Sequence, residues 1–117
     1  MAAEMLSAAG VSVQVYDAMP SMGRKFLLAG LGGLNLTHAE PFDIFTTRYA
    51  ERTEACAAWL KTFDATAICE WVKGLCLDTF VGSSQRIFPT DMKAAPLLGL
   101  ALKGAGTRMW MARFMWS

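Results

Sequence analysis

The chain has 117 residues, 54% of them hydrophobic and 18% charged, with a formal net charge of +1. Length and composition fit one small folded domain and exclude a disordered chain. The near-neutral charge argues against a nucleic-acid binder held by phosphate contacts.

The N-terminal residues Ala2 to Ala9 read as a helix of alanines and long side chains, stopped by Gly10. Val11, Val13 and Val15 then alternate with Ser12, Gln14 and Tyr16, the period of a strand that ends on Asp17. Helix, glycine and β-branched strand together match the second half of a βαβ crossover in a parallel sheet. Met19-Pro20-Ser21 is a turn, and Arg24 to Ala29 spans one or two helical turns. Gly30, Gly32 and Gly33 break regular structure after it.

From Pro41 the pattern becomes helical. Phe42 to Tyr49 reads as a short helix, and Thr53 to Phe63 puts Cys56, Ala57, Leu60 and Phe63 on one face. Asp64 can cap a third helix with Ile68, Trp71, Val72 and Leu75 on its apolar side. Leu77 to Val81 and Arg86 to Phe88 predict a hairpin joined by Gly82-Ser83-Ser84-Gln85. Thr90 or Asp91 can cap a last helix through Leu98 to Leu102. Pro96 suits only its first turn, so that helix can begin later than the cap suggests. The tail, Thr107 to Ser117, is open to three readings: an apolar strand, a membrane-surface helix, or a misread end.

No apolar run approaches the roughly 20 residues of a membrane span, and Glu4 with no basic flank argues against a secretory signal. The three cysteines, Cys56, Cys69 and Cys76, form no C-x-x-C pair. They read as reduced, buried thiols of a cytoplasmic protein, and no metal site is expected with a single histidine.

The chemistry-bearing residues lie between Asp17 and His38. An acid at the end of a second strand can accept hydrogen bonds from ribose hydroxyls; it can equally start the turn into Pro20. Gly23, Arg24 and Lys25 can hold a pyrophosphate through backbone N–H groups and two cations, or be a solvated basic pair. Gly32 and Gly33 allow close backbone approach to a ligand, and Asn35 and Thr37 add side-chain hydrogen bonds.

In this order, the strand and Asp17, G-R-K at 23–25 and G-x-G-G-x-N-x-T-H at 30–38 resemble the YhiN-like (BaiN-type) family of bacterial FAD-dependent oxidoreductases. The family patterns run close to G-R-K-x-x-x-[ST]-G-x-G-R-C-N-x-T-N and G-R-x-F-P-x-[ST]-x-K-A. The second reappears as Gln85-Arg86-Ile87-Phe88-Pro89-Thr90-Asp91-Met92-Lys93-Ala94. The resemblance covers roughly residues 1–103.

The resemblance implies an α/β chain: a partial Rossmann-like FAD-binding segment (1–40), then a mainly helical insertion segment with a short β-hairpin (41–103), then a divergent apolar tail (104–117). It implies FAD as cofactor, NAD(P)H as electron donor and hydride or electron transfer to an unknown substrate. It puts Asp17 on the adenosine ribose and Gly23, Arg24 and Lys25 beside the cofactor. Gly32, Gly33, Asn35 and Thr37 fall near the pyrophosphate and flavin end. No catalytic acid or base is implied; His38 stands where the family has Asn and reads as a polar turn residue. Leu34 replaces a usual Cys, and Gln85 a usual Gly, where a positive φ would strain the hairpin.

By the same resemblance the first strand and its G-x-G-x-x-G loop belong before Met1. The expectation is therefore a fragment whose missing remainder completes the site, inactive alone and weak or silent toward FAD. The alternative is a small, cofactor-free helical interaction module, suggested by the apolar composition.

Overall fold

The computed structural model describes residues 2–17, 22–104 and 108–111. The turn expected at Met19-Pro20-Ser21, Gly106 and the end of the tail lie outside the described residues. The structure is mixed α/β, with six α-helices and two small sheets among the described residues. The chain divides into two units: residues 1–33 with 93–117, and residues 34–92.

The first unit opens with helix α1 (Ala2–Ala8). Gly10, at φ 78°, ends it. The Gly10 N–H bonds Ser7 O at 2.9 Å and the Val11 N–H bonds Leu6 O at 3.0 Å, the two crossing bonds of a Schellman cap. Strand β1 covers Gln14–Asp17, three residues later than the valine alternation predicts. Pairing sets the limit: β1 runs parallel to strand β5 (Arg108–Met111), from Gln14 opposite Arg108 to Asp17 opposite Met111. Of the three readings of the tail, a strand is therefore found at 108–111.

Helix α2 (Arg24–Ala29) lies against helix α6 (Ala94–Gly104). The contact needs small residues. A Cβ on Gly30 would fall 2.6 Å from the Ala94 Cβ, and one on Gly23 would fall 2.7 Å from Leu98 Cδ2. Gly23 also has φ 65°, so a side chain there would be doubly unfavourable. Ala94 and Leu97 are buried. Pro96 sits in the first turn of α6, where its missing N–H costs no helical bond. The helix starts after Asp91 because Met92, at φ 60°, turns the chain first; the Met92 N–H bonds Pro89 O at 2.9 Å.

The second unit is built on a three-stranded antiparallel sheet in the order β2 (Thr37–His38), β4 (Arg86–Pro89), β3 (Thr79–Val81). The hairpin expected from sequence is present, with Val81 opposite Ile87 and Thr79 opposite Pro89. Its register is regular, and the strain is confined to Gln85 at φ 63°. Beyond β2, Leu36 N bonds Ile87 O at 2.8 Å and Ala39 N bonds Gln85 O at 2.7 Å, tying the whole 34–39 segment to β4.

Helix α5 (Ala65–Gly74) packs on β2 and β3 and buries Val72 completely. Asp64 caps it as expected, its Oδ1 accepting from the Ala67 N–H at 2.8 Å. Leu34 and Ile87 complete the apolar centre of this unit. Leu34, where the resembled pattern has Cys, is thus a core residue. Helices α3 (Phe42–Thr47) and α4 (Thr53–Leu60) pack on each other through a 3-10 turn at Ala50–Arg52. Helix α4 buries no residue fully, and Trp59 is 73% exposed.

The cysteines correct one expectation. All three are free thiols, but none is buried: Cys56 and Cys69 are half-buried and Cys76 is exposed. The buried positions of this unit are few, and Val72, Pro89, Leu34, Thr46 and Ile87 occupy them.

Candidate functional site

Two clusters hold the residues singled out by sequence, one in each unit. In the first, the parallel strand β1 delivers Asp17 to its C-terminal end. The Gly23 N–H donates to Asp17 Oδ2 at 2.9 Å. Asp17 therefore closes the turn into α2, and the bond aims its carboxylate toward the start of that helix. Arg24 and Lys25 follow directly. Both are exposed, with no side-chain partner among the described residues. An oriented acid beside two exposed cations suits a ligand carrying both hydroxyls and phosphates.

Gly32 and Gly33 lie in the same unit, beyond the C-terminal end of α2. Gly33 has φ 109°, so the backbone itself requires glycine there. Gly32 is different: its φ is unremarkable and a Cβ would meet nothing within 4 Å. The fold gives no reason for glycine at 32. Open space over bare backbone leaves room for a ligand to approach closely.

The second cluster is a cleft of about 460 Å³ in the 34–92 unit, within the usual range for small-molecule sites. Its polar lining is Asn35, Thr37, His38, Arg48, Asp64 and Arg86. Phe45, Tyr49, Leu60 and Ile68 form most of the apolar wall. Phe45 and Tyr49 meet edge to face, with ring centroids 6.0 Å apart. Asn35 is exposed and Thr37 half-buried.

Ion pairing shapes the cleft's charge. The Arg48 guanidinium grips Glu40 in a bidentate pair, Nε to Oε2 at 2.6 Å and Nη2 to Oε1. The hydrogen bond from Arg48 holds the Glu40 carboxyl below its usual range and raises Arg48. His38 Nδ1 lies 3.5 Å from Glu40 Oε2 and is buried without a hydrogen bond. Arg86, on β4 beside His38, is exposed and has no side-chain partner among the described residues. Asp64 is already engaged as the cap of α5.

The structure thus brings Asp17, Gly23, Arg24 and Lys25 together, and Asn35 with Thr37 in the cleft. Sequence reasoning did not single out Arg48 or Arg86 as site residues. Arg86 stood within the second family pattern, so a signal existed. Arg48 had none, because its partner Glu40 lies eight residues back across a bend. No cluster of three metal-binding side chains occurs among the described residues. No helix among them is long and apolar enough to cross a membrane.

A strand-borne acid, glycine-rich turns and two cations at a helix start are the features of a Rossmann-type domain. The model of the HI0933-like protein Rossmann domain family matches residues 1–110. The chain belongs to that family, a family of FAD-binding oxidoreductases that includes the YhiN/BaiN-like proteins. Among curated proteins, none matches. The match favours the flavoprotein reading over the cofactor-free interaction module.

Proposed function

We propose that this chain supplies FAD-binding residues to an oxidoreductase that moves electrons between NAD(P)H and a second substrate. The bond between the Gly23 N–H and Asp17 Oδ2 carries the reading, because it orients a strand-end acid beside two cations that have no side-chain partner among the described residues. The residues fit the group chemically. Asp17 would hold the adenosine ribose and Arg24 and Lys25 the adjoining phosphates, with Gly23, whose N–H is taken by Asp17, shaping the turn between them. Gly32 and Gly33 would let backbone approach the pyrophosphate, with Asn35 and Thr37 toward the flavin. Bound flavin supplies the redox chemistry; the protein's part is placement, charge and exclusion of water. Free thiols without a disulfide support a cytoplasmic setting.

The test is a titration of the full chain with FAD and with FMN, which lacks the adenosine ribose, followed by amide NMR shifts. FAD, weakly bound by this chain and so titrated to millimolar excess, should move Asp17, Gly23, Arg24, Lys25, Gly32, Gly33, Asn35 and Thr37, and a lack of any shift at these residues would sink the proposal. Asp17→Asn keeps an acceptor for Gly23 yet loses the charge, and should weaken FAD about tenfold while leaving FMN unchanged. Shifts confined to other residues, or equal losses for FAD and FMN, would sink the proposal.

A further inference from the structure

The cleft of the 34–92 unit has a chemistry that a phosphate cradle lacks. Its lining includes Arg86, which has no side-chain partner among the described residues, and Asp64, whose Oδ1 is taken up as a helix cap. Arg48 adds a second cation whose Nε and Nη2 are held by Glu40. The rest of the lining includes an apolar and aromatic wall formed by Phe45, Tyr49, Leu60 and Ile68. A small inorganic anion would satisfy Arg86 and leave that wall wet. A neutral apolar molecule would cover the wall and leave Arg86 unpaired. The ligand that satisfies both carries one anionic group on an apolar body.

We infer that this cleft binds an organic monocarboxylate, its carboxylate on Arg86 and its apolar body against Phe45, Tyr49, Leu60 and Ile68. Arg is suited to this role because its planar fork matches a carboxylate in two parallel bonds. The apolar body gains from leaving water, and the aromatic pair offers it an edge and a face. Such an acid is the substrate class of the oxidoreductase. That last step rests on the flavin reading, which puts Asn35 and Thr37 at the reacting end of the cofactor; the binding itself does not.

The experiment titrates the full chain with phenylacetate, phenylacetamide and inorganic phosphate, reading shifts at Thr37, Phe45 and Arg86. Phenylacetate should bind about tenfold more tightly than its neutral amide, the difference one charge-assisted pair makes. Phosphate should be weaker by a similar factor, since it cannot cover the wall. Arg86→Gln should make acid and amide equal, and Arg86→Lys should keep part of the preference. Arg86 is exposed, so unchanged shifts in the rest of the spectrum verify that the variants fold. Equal binding of acid and amide, phosphate matching phenylacetate, or a preference surviving Arg86→Gln would each overturn the inference. FAD added to the same samples separates the two readings. Acid-induced shifts without FAD-induced shifts at Asp17 and Gly23 leave the carboxylate site standing and remove its role as substrate site. The reverse pattern removes the carboxylate site alone.

Discussion

Gln85 concentrates the backbone strain of the hairpin. It follows the turn Gly82-Ser83-Ser84, whose closing bond runs from Gln85 N to Gly82 O at 3.0 Å, and it sits at φ 63°. A three-residue hairpin loop of this kind places its last residue in the left-handed region, where glycine is favoured. A side chain there costs roughly 1–2 kcal/mol, and glycine's own entropy returns part of it. Gln85→Gly should therefore stabilise the protein by about 1 kcal/mol. A higher urea midpoint at unchanged slope is the expected result; a lower one would mean that the Gln85 side chain makes a compensating contact.

Glu40 gives the second residue-level expectation. Arg48 holds its folded-state pKa below the ordinary value of 4.5. Its contribution is present in full above the unfolded value and disappears as the pH falls through the folded one. Thermal midpoints should drop between pH 5 and more acidic buffers, and Glu40→Gln should flatten that part of the profile. An unchanged acid limb in the variant would show that another carboxylate is responsible. The strain at Gln85 was legible in the sequence, because the resembled pattern puts glycine there. The Glu40–Arg48 pair was not, since Glu40 lies before α3 and meets Arg48 only because the chain bends there.

At the level of elements, local signals carried furthest. Asp64 was recognisable as a cap because Asp before an amphipathic run accepts from the first turn's N–H groups. Asp64→Ala should cost about 1 kcal/mol. Hydrogen exchange across Ala65–Gly74 should quicken; exchange as slow as before would mean that packing on β2 and β3 alone holds α5. The Gly10 stop and the hairpin were legible for the same reason: each is specified by a few consecutive residues. Strand β1 was legible in kind but not in extent. Its alternation began at Val11, yet pairing with β5 defines only Gln14–Asp17 as strand. Strand ends are set by the neighbour, which period-two alternation cannot supply.

Across the whole chain, the apolar composition exceeds what the fold encloses. Leu31, Trp59 and Met5 are 82%, 73% and 72% exposed, and Ile44, Val11 and Val81 are each about half exposed or more. Apolar surface of this kind favours association. The chain should self-associate with rising concentration, and Trp59→Glu, on the uncovered face of α4, should reduce it. Sedimentation velocity is the check: a monomer at every concentration would show that these residues do not meet across copies.

What the sequence by itself determined was the order of elements, the Asp17-to-Thr37 run and the family to which the chain belongs. These follow from short-range chemistry: periodicity, capping, turn residues and two motifs at a set separation. Only the tertiary structure decided that α6 shares a unit with α2, through Gly30 against Ala94. It also decided that Asn35 and Thr37 share a cleft with Arg48, Arg86 and an aromatic wall. Such groupings depend on which surfaces meet after the chain turns back. Pairing partners and side-chain volumes settle that jointly, so no single stretch of residues encodes it.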